Sequence, residues 1–227
     1  MYSAMRIKVL PLDRRSMEQQ RQRAGEHMAY TLMTCMRHSI AVPTWNGMTH
    51  EEDLGRELSP QGIDAATLRR AALGTTRYDV VCTSPARRAQ VTASALMGLT
   101  DQSAVRLVEE LCYDGPDTPR GKWLAEQYEE LGFRPYRAYY KRDTESHLAM
   151  QGGKALRQCI EAAESANAKN VLVVTHMPIL PCLGMTATAG VNRKWDSMFA
   201  DHAFKESEGF TLTLDGGSPV DVKFHTN

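Results

Sequence analysis

Apolar and polar positions follow two rhythms along the chain. Short runs that are apolar or β-branched at nearly every position read as strands buried on both faces: Tyr30-Thr-Leu-Met-Thr-Cys35, Asp79-Val-Val-Cys82 and, most clearly, Asn170-Val-Leu-Val-Val-Thr175. A further short strand is predicted over Ala104–Val108. Longer segments between them carry helix signals. Ser59-Pro60 pairs an N-cap with a first-turn proline and predicts a helix through Leu73. Helices are also predicted from about Ala86 to Met97 and from Ser146 to Ala166, the latter weakened by Gly152-Gly153. Phe210–Leu214 and Val220–Phe224, joined at Asp215-Gly-Gly-Ser218, read as a terminal hairpin. The alternation predicts an α/β fold: a three-layer sandwich with a mostly parallel central sheet flanked by helices, closed by the C-terminal hairpin. Residues 1–28 read as an N-terminal extension, a short strand (Met5–Leu10) and then a polar helix-like stretch; residues 29–227 read as a single domain. No repeat, low-complexity tract or linker divides it.

Ligands of parallel α/β sheets bind beyond the carboxyl ends of the strands. There the sequence places Arg37-His38 after the first strand, Ser84-Pro-Ala-Arg-Arg88 after the second, Glu109-Glu110 after the third and His176 after the fourth. Two arginines and a cationic histidine around one pocket make a phosphate cradle, because the guanidinium fork matches phosphate oxygens. A second imidazole with an unprotonated nitrogen is a competent nucleophile toward phosphorus, and a nearby carboxylic acid can protonate the leaving oxygen. These parts add up to phosphoryl transfer through a phosphohistidine that calls for no metal and no cofactor.

Composition limits the partners. In the 227 residues Lys+Arg and Asp+Glu balance at 27 each, so a global electrostatic grip on nucleic acid or an anionic membrane is not expected. No apolar run approaches the ~20 residues of a membrane span. The five cysteines are scattered without a CxxC pair, which points to neither a disulfide framework nor a zinc site. The start is too polar for a secretory signal, and a cytoplasmic, reducing location is the default. The sequence gives no indication of oligomeric state.

Four segments, in order, resemble the histidine phosphatase superfamily, also called the phosphoglycerate mutase-like family: Met36-Arg37-His38-Ser39, Arg56-Glu-Leu-Ser59-Pro-Gln-Gly62, Thr83-Ser84-Pro-Ala-Arg-Arg88-Ala-Gln-Val-Thr92-Ala, and Val173-Val-Thr-His176. The resemblance covers about residues 30–224. It implies that His38 is the nucleophile that becomes phosphorylated. It further implies that Arg37 and Arg88 bind the phosphoryl oxygens, and that His176 supports them as charge spreads in the transition state. Ser39, where the family has glycine, and Ser84 are counted with the substrate-binding residues, with Thr83 a further hydroxyl. Arg87 falls one place before the family's arginine and is a supporting or surface residue. Val91 replaces the family's glutamine, and Met177-Pro178 replaces the glycines after the second histidine, which looks nearer to the phosphohistidine phosphatases than to the mutases. For the proton donor, Glu109, Glu110, Asp114 and Asp117 all lie within reach after the third strand, and Glu110 is taken.

The other histidines, His50 included, take a structural reading, and His50-Glu-Glu-Asp53 reads as a solvated loop. Cys82 and Arg88 stand in the C-x5-R spacing of cysteine-dependent phosphatases, but Pro85 removes one amide and no glycine lets such a loop curl, so Cys82 reads as buried. Residues 112–146, a cap-like insertion, hold five of the eight tyrosines and serve either as a substrate-facing cap or as helix with tyrosines packed on the core. The predicted function is a metal-independent phosphatase acting on a phosphomonoester or phosphohistidine, on a small molecule or a protein. Two alternatives stand beside it: a phosphoglycerate mutase-type phosphotransferase, and a catalytically weak phospho-ligand-binding or scaffold protein.

Overall fold

The computed structural model describes residues 30–74, 77–99 and 105–226. The extension over residues 1–28 and the start of the third predicted strand lie outside them. The strands are β1 (Thr31–Arg37), β2 (Val80–Thr83), β3 (Arg106–Leu107), β4 (Asn170–Thr175), β5 (Gly209–Asp215) and β6 (Ser218–His225). They form one sheet in the order β3-β2-β4-β1-β5-β6. β3, β2, β4 and β1 run parallel, while β5 and β6 join as an antiparallel edge. The β5–β6 turn is Gly216-Gly217, both at positive φ (54° and 79°), the conformation that a two-residue hairpin demands.

The unbroken apolar runs are explained by burial on both faces. Along β4, Val171 and Val173 face one core with Met33, Cys35 and Cys82, while Leu172 and Val174 face another with Met36 and Val81. The first core is covered by α6 (His147–Ser165), α7 (Ile179–Thr188) and α8 (Arg193–Asp201); the second is covered chiefly by α3 (Arg87–Met97). This is the three-layer sandwich that the pattern predicts. No helix among the described residues is long and apolar enough to cross a membrane.

The remaining helices are α1 (His50–Gly55), α2 (Pro60–Leu73), α4 (Pro119–Leu131) and α5 (Tyr136–Tyr140). α1 corrects the solvated-loop reading of residues 50–53. Thr49 and Glu52 form a reciprocal capping box that closes this short helix. α7 and α8 are also absent from the predicted elements, and α7 carries two residues unfavourable in a helix, Pro181 and Gly184. Pro181 sits in the first turn of α7, where its missing N–H costs nothing. A Cβ on Gly184 would lie 2.3 Å from the Phe199 ring of α8, so the glycine lets these helices pack. In the insertion, Tyr136 and Tyr139 are buried with Leu124 and Leu148.

Candidate active site

The carboxyl ends of β1, β2 and β4 are tied together by backbone bonds just past the ladder: His38 N–H donates to Thr175 O at 2.9 Å, and Ser84 N–H to Val174 O at 3.0 Å. His38 and His176 thereby meet, with ring centroids 4.9 Å apart. Both are buried on the floor of a cavity of about 780 Å³, which Arg37, Arg56 and Arg88 also line.

The loop that carries His38 is held by α2, which gives the Arg56-to-Gly62 segment its structural role. Ser59 caps α2 by accepting from Gly62 N–H, and both its own N–H and its hydroxyl donate to Ile40 O. Ser39 N–H donates to Thr92 Oγ1 of α3 at 2.9 Å. His38 Nδ1 lies 2.7 Å from Ser39 O. A carbonyl only accepts, so the imidazole proton sits on Nδ1 and Nε2 keeps its lone pair. His176 Nε2 lies 2.7 Å from Ser84 Oγ, which itself accepts from Ala86 N–H. With the serine hydroxyl donating to Nε2, the imidazole proton of His176 sits on Nδ1.

Arg88 is fully buried, and a buried cation needs a counter-charge. Asp53 of α1 supplies it: Arg88 Nη1 donates to Asp53 O at 2.5 Å, and Nη2 to Asp53 Oδ2 at 3.0 Å and to Tyr113 Oη at 2.6 Å. Tyr113 donates to the same Oδ2, and Arg56 pairs with Oδ1 at 2.9 Å. Arg37 donates to Phe204 O and, at 2.6 Å, to Glu206, with Phe133 of the insertion stacked over its guanidinium. Four buried nitrogens around this floor have no hydrogen-bond partner among the described residues: Arg37 Nε, Arg56 Nε, Arg88 Nε and His176 Nδ1. Buried N–H groups without acceptors are rare, and a cavity that gathers several of them suits an oxyanion.

Of the residues singled out by sequence, the structure brings His38, Arg37, Arg88 and His176 together. It does not bring Glu110 there. That residue sits on the turn after β3, where its carboxylate accepts from Gln158 at 3.3 Å, and it does not line the cavity. Ser39 and Ser84 also lie behind the cavity rather than in it. Ser39 Oγ donates to Gly62 O and accepts from Ser207, and Ser84 orients His176. They are positioning residues. Arg87 is a surface residue paired with Glu57. Cys82 is packed in the sheet core with Cys35 and Cys159, away from the cavity. His50 lines the cavity, contrary to its structural reading. Within the insertion, α4 lines the cavity through Leu124, Ala125, Tyr128 and Glu129, while Tyr136 and Tyr139 are core. Sequence reading missed Asp53, Arg56 as a site residue, Tyr113 and Glu206. The Thr49–Glu52 capping box was a legible signal for the helix that carries Asp53.

The cationic reading of His176 needs correction. Burial above all, then Arg88, His38 and Arg37, holds its pKa well below the ordinary value; burial, Arg88 and Arg37 do the same for His38. Both imidazoles are neutral at pH 7. A stability consequence follows. Above about pH 6.5 both are neutral folded or unfolded, so they add no pH dependence there. As pH falls below 6.5 the unfolded chain takes up protons that the buried imidazoles refuse. Stability then falls by up to about 1.4 kcal/mol per pH unit for each of these two groups. His225, lowered to about 4 mainly by burial, adds in the same direction. Urea midpoints at pH 7.5, 6.5 and 5.5 are expected to decline across the last interval, and saturating phosphate should flatten the decline by stabilising the imidazolium forms. An equal decline in a His38→Ala/His176→Ala double variant would show that these groups are not its source.

A family model for the histidine phosphatase superfamily (branch 1) matches residues 34–203. The chain belongs to this superfamily. No curated protein matches it. Among solved structures, the chain is similar to a mycobacterial glucosyl-3-phosphoglycerate phosphatase (16% identity, TM-score 0.58, 87% of this chain and 98% of that one). It is also similar to the phosphoglycerate mutase of Bacillus anthracis (15%, 0.54, 88% and 93%). A third is the protein histidine phosphatase SixA complexed with tungstate (18%, 0.50, 86% and 94%). At these identities the likeness is one of fold, and that fold is shared by phosphatases and a mutase.

Proposed function

We propose that the chain is a phosphatase that hydrolyses a phosphomonoester or phosphohistidine through a phosphohistidine on His38. The observation that carries the reading is the pairing of a bare His38 Nε2 with partnerless nitrogens on Arg37, Arg88 and His176 on one floor. In the first step the Nε2 lone pair forms an N–P bond as the bond from phosphorus to the leaving atom breaks. The leaving atom keeps the electron pair and collects a proton from water or from a carboxyl on the cavity wall. In the second step a water oxygen bonds to phosphorus, the P–Nε2 bond breaks, and inorganic phosphate departs with His38 restored. Arg37 and Arg88 neutralise the phosphoryl oxygens throughout, and His176 Nδ1–H donates to one of them as charge builds. The residues supply attack and charge neutralisation without a metal. Hydrolysis is preferred to mutase transfer because, among the described residues, the walls offer no second cluster of lysines or arginines to retain a diphosphorylated intermediate.

The test is to trap the intermediate. Rapid quenching with a labelled phosphoryl donor is expected to leave phosphate on the protein that survives alkali and is lost in acid, the stability pattern of a phosphoramidate. Cys82→Ala is expected to keep both label and turnover while losing about 1 kcal/mol of stability from the core. Label that survives acid, or loss of turnover in the Cys82 variant, would transfer the reaction to other chemistry.

A further inference from the structure

The cavity has a charge gradient. Its floor holds Arg37, Arg56 and Arg88; beyond them, no lysine or arginine lines it among the described residues. The walls carry three carboxylates, of which Asp114 is paired with Arg120 and Glu206 with Arg37, and Glu129 stands exposed on α4. A phosphoryl group would reach the floor, but a second anionic group on the same substrate would face Glu129 on its way in.

The walls also present aromatic surface. Trp45 and Tyr128 line the cavity and remain 55% and 46% exposed, whereas His38 and His176 on the floor are 8% and 2% exposed. The two come from separate elements. Trp45 opens a tight turn closed by Met48 N–H donating to Trp45 O, with Gly47 at φ 82°. Tyr128 stands on α4, whose start is fixed by the Thr118 cap. Large aromatic side chains left half-exposed inside a concave site are contact surface for a ligand, and π-faces select flat partners.

We infer that Trp45, Tyr128 and Glu129 form a subsite for the group that bears the phosphoryl, selecting an aromatic ring without a second anionic group. The inference rests on the phosphoryl-binding reading of the floor. A phosphorylated imidazole and a phosphorylated phenol share this chemistry. A phosphoryl compound that also bears a carboxylate does not.

Calorimetric titration of the whole chain with stable phosphonates tests the subsite without breaking a bond. Phenylphosphonate is expected to bind about tenfold tighter than propylphosphonate, and 2-carboxyethylphosphonate at least about fivefold weaker than propylphosphonate. Trp45→Ala or Tyr128→Ala should cut the phenyl advantage to about threefold or less, and Glu129→Lys should remove the penalty on the carboxylate. All three side chains are exposed, so the variants are expected to fold. Equal binding of phenyl and propyl compounds, an undiminished phenyl advantage in both aromatic variants, or no penalty on the carboxylate would each overturn the inference. Failure of inorganic phosphate and all phosphonates to bind would overturn it together with the reading of the floor. Ring-selective binding without turnover would overturn only the phosphatase reading, while turnover without ring selectivity would overturn only the subsite. Hydrolysis of a phosphohistidine peptide against a phosphotyrosine peptide then tells which ring is used, and either result supports the shared chemistry.

Discussion

Replacing His38 with alanine is expected to abolish turnover, by on the order of 10⁴-fold or more, and to abolish the acid-labile label with it. The size follows from the step lost. Without Nε2 no N–P bond forms, and water must attack a phosphoryl group that the remaining side chains can only hold. Arg37, Arg88 and His176 remain, so inorganic phosphate should still bind and protect the variant against thermal unfolding. The side chain lies between a packed core and an open cavity, so the variant should melt as a folded protein, and circular dichroism would verify this. His176→Ala offers the contrast: slowed turnover but a label still formed, because the nucleophile is intact. Full turnover by the His38 variant would sink the mechanism.

Gly62→Ala should produce the second large effect, and its sign is contrary to helix propensity. Gly62 lies in the first turn of α2, where alanine would ordinarily stabilise by up to about 1 kcal/mol. Here a Cβ would stand 2.0 Å from Ile40 O and 2.9 Å from its carbonyl carbon. Those are backbone atoms, which cannot rotate away. Ile40 is two residues past His38, and Ser39 Oγ donates to Gly62 O at 2.7 Å, so relief of the clash must move the loop that carries the nucleophile. The expected outcome is a loss of about 2 kcal/mol, or roughly 4–8 °C in Tm, with kcat/KM down about 10²-fold from misplacement of His38. Gly55→Ala is the control: a Cβ there meets nothing within 4 Å, and little change is expected. Wild-type stability and activity in Gly62→Ala would show that α2 does not hold the nucleophile loop.

Much of the fold was legible because its strands are buried on both faces, which leaves short apolar runs whose length and β-branched content mark them as strands. Asn170–Thr175 and Pro60–Leu73 were predicted with the boundaries they have. α7 and α8 were not; in α7 the proline and glycine are tolerated only through a first-turn position and a facing ring of α8, and neither is visible in one dimension. In the site, His38 and His176 were legible because a residue just past a parallel strand has one place to go. Glu110 was misplaced for the complementary reason. β3 is only two residues long, and the turn that follows aims the carboxylate at Gln158, a choice made by α6 packing against that turn.

Burial periodicity in the sequence marked the strands, and their carboxyl ends gathered two histidines and two arginines at one rim. The state and company those groups keep were set by the fold. Their neutral imidazoles come from burial beside arginines brought from other elements, and the counter-charge of Arg88 comes from Asp53, 35 residues away. Local periodicity is written in neighbouring residues. Desolvation and ion pairing depend on distances in space, and those exist only once the chain has folded.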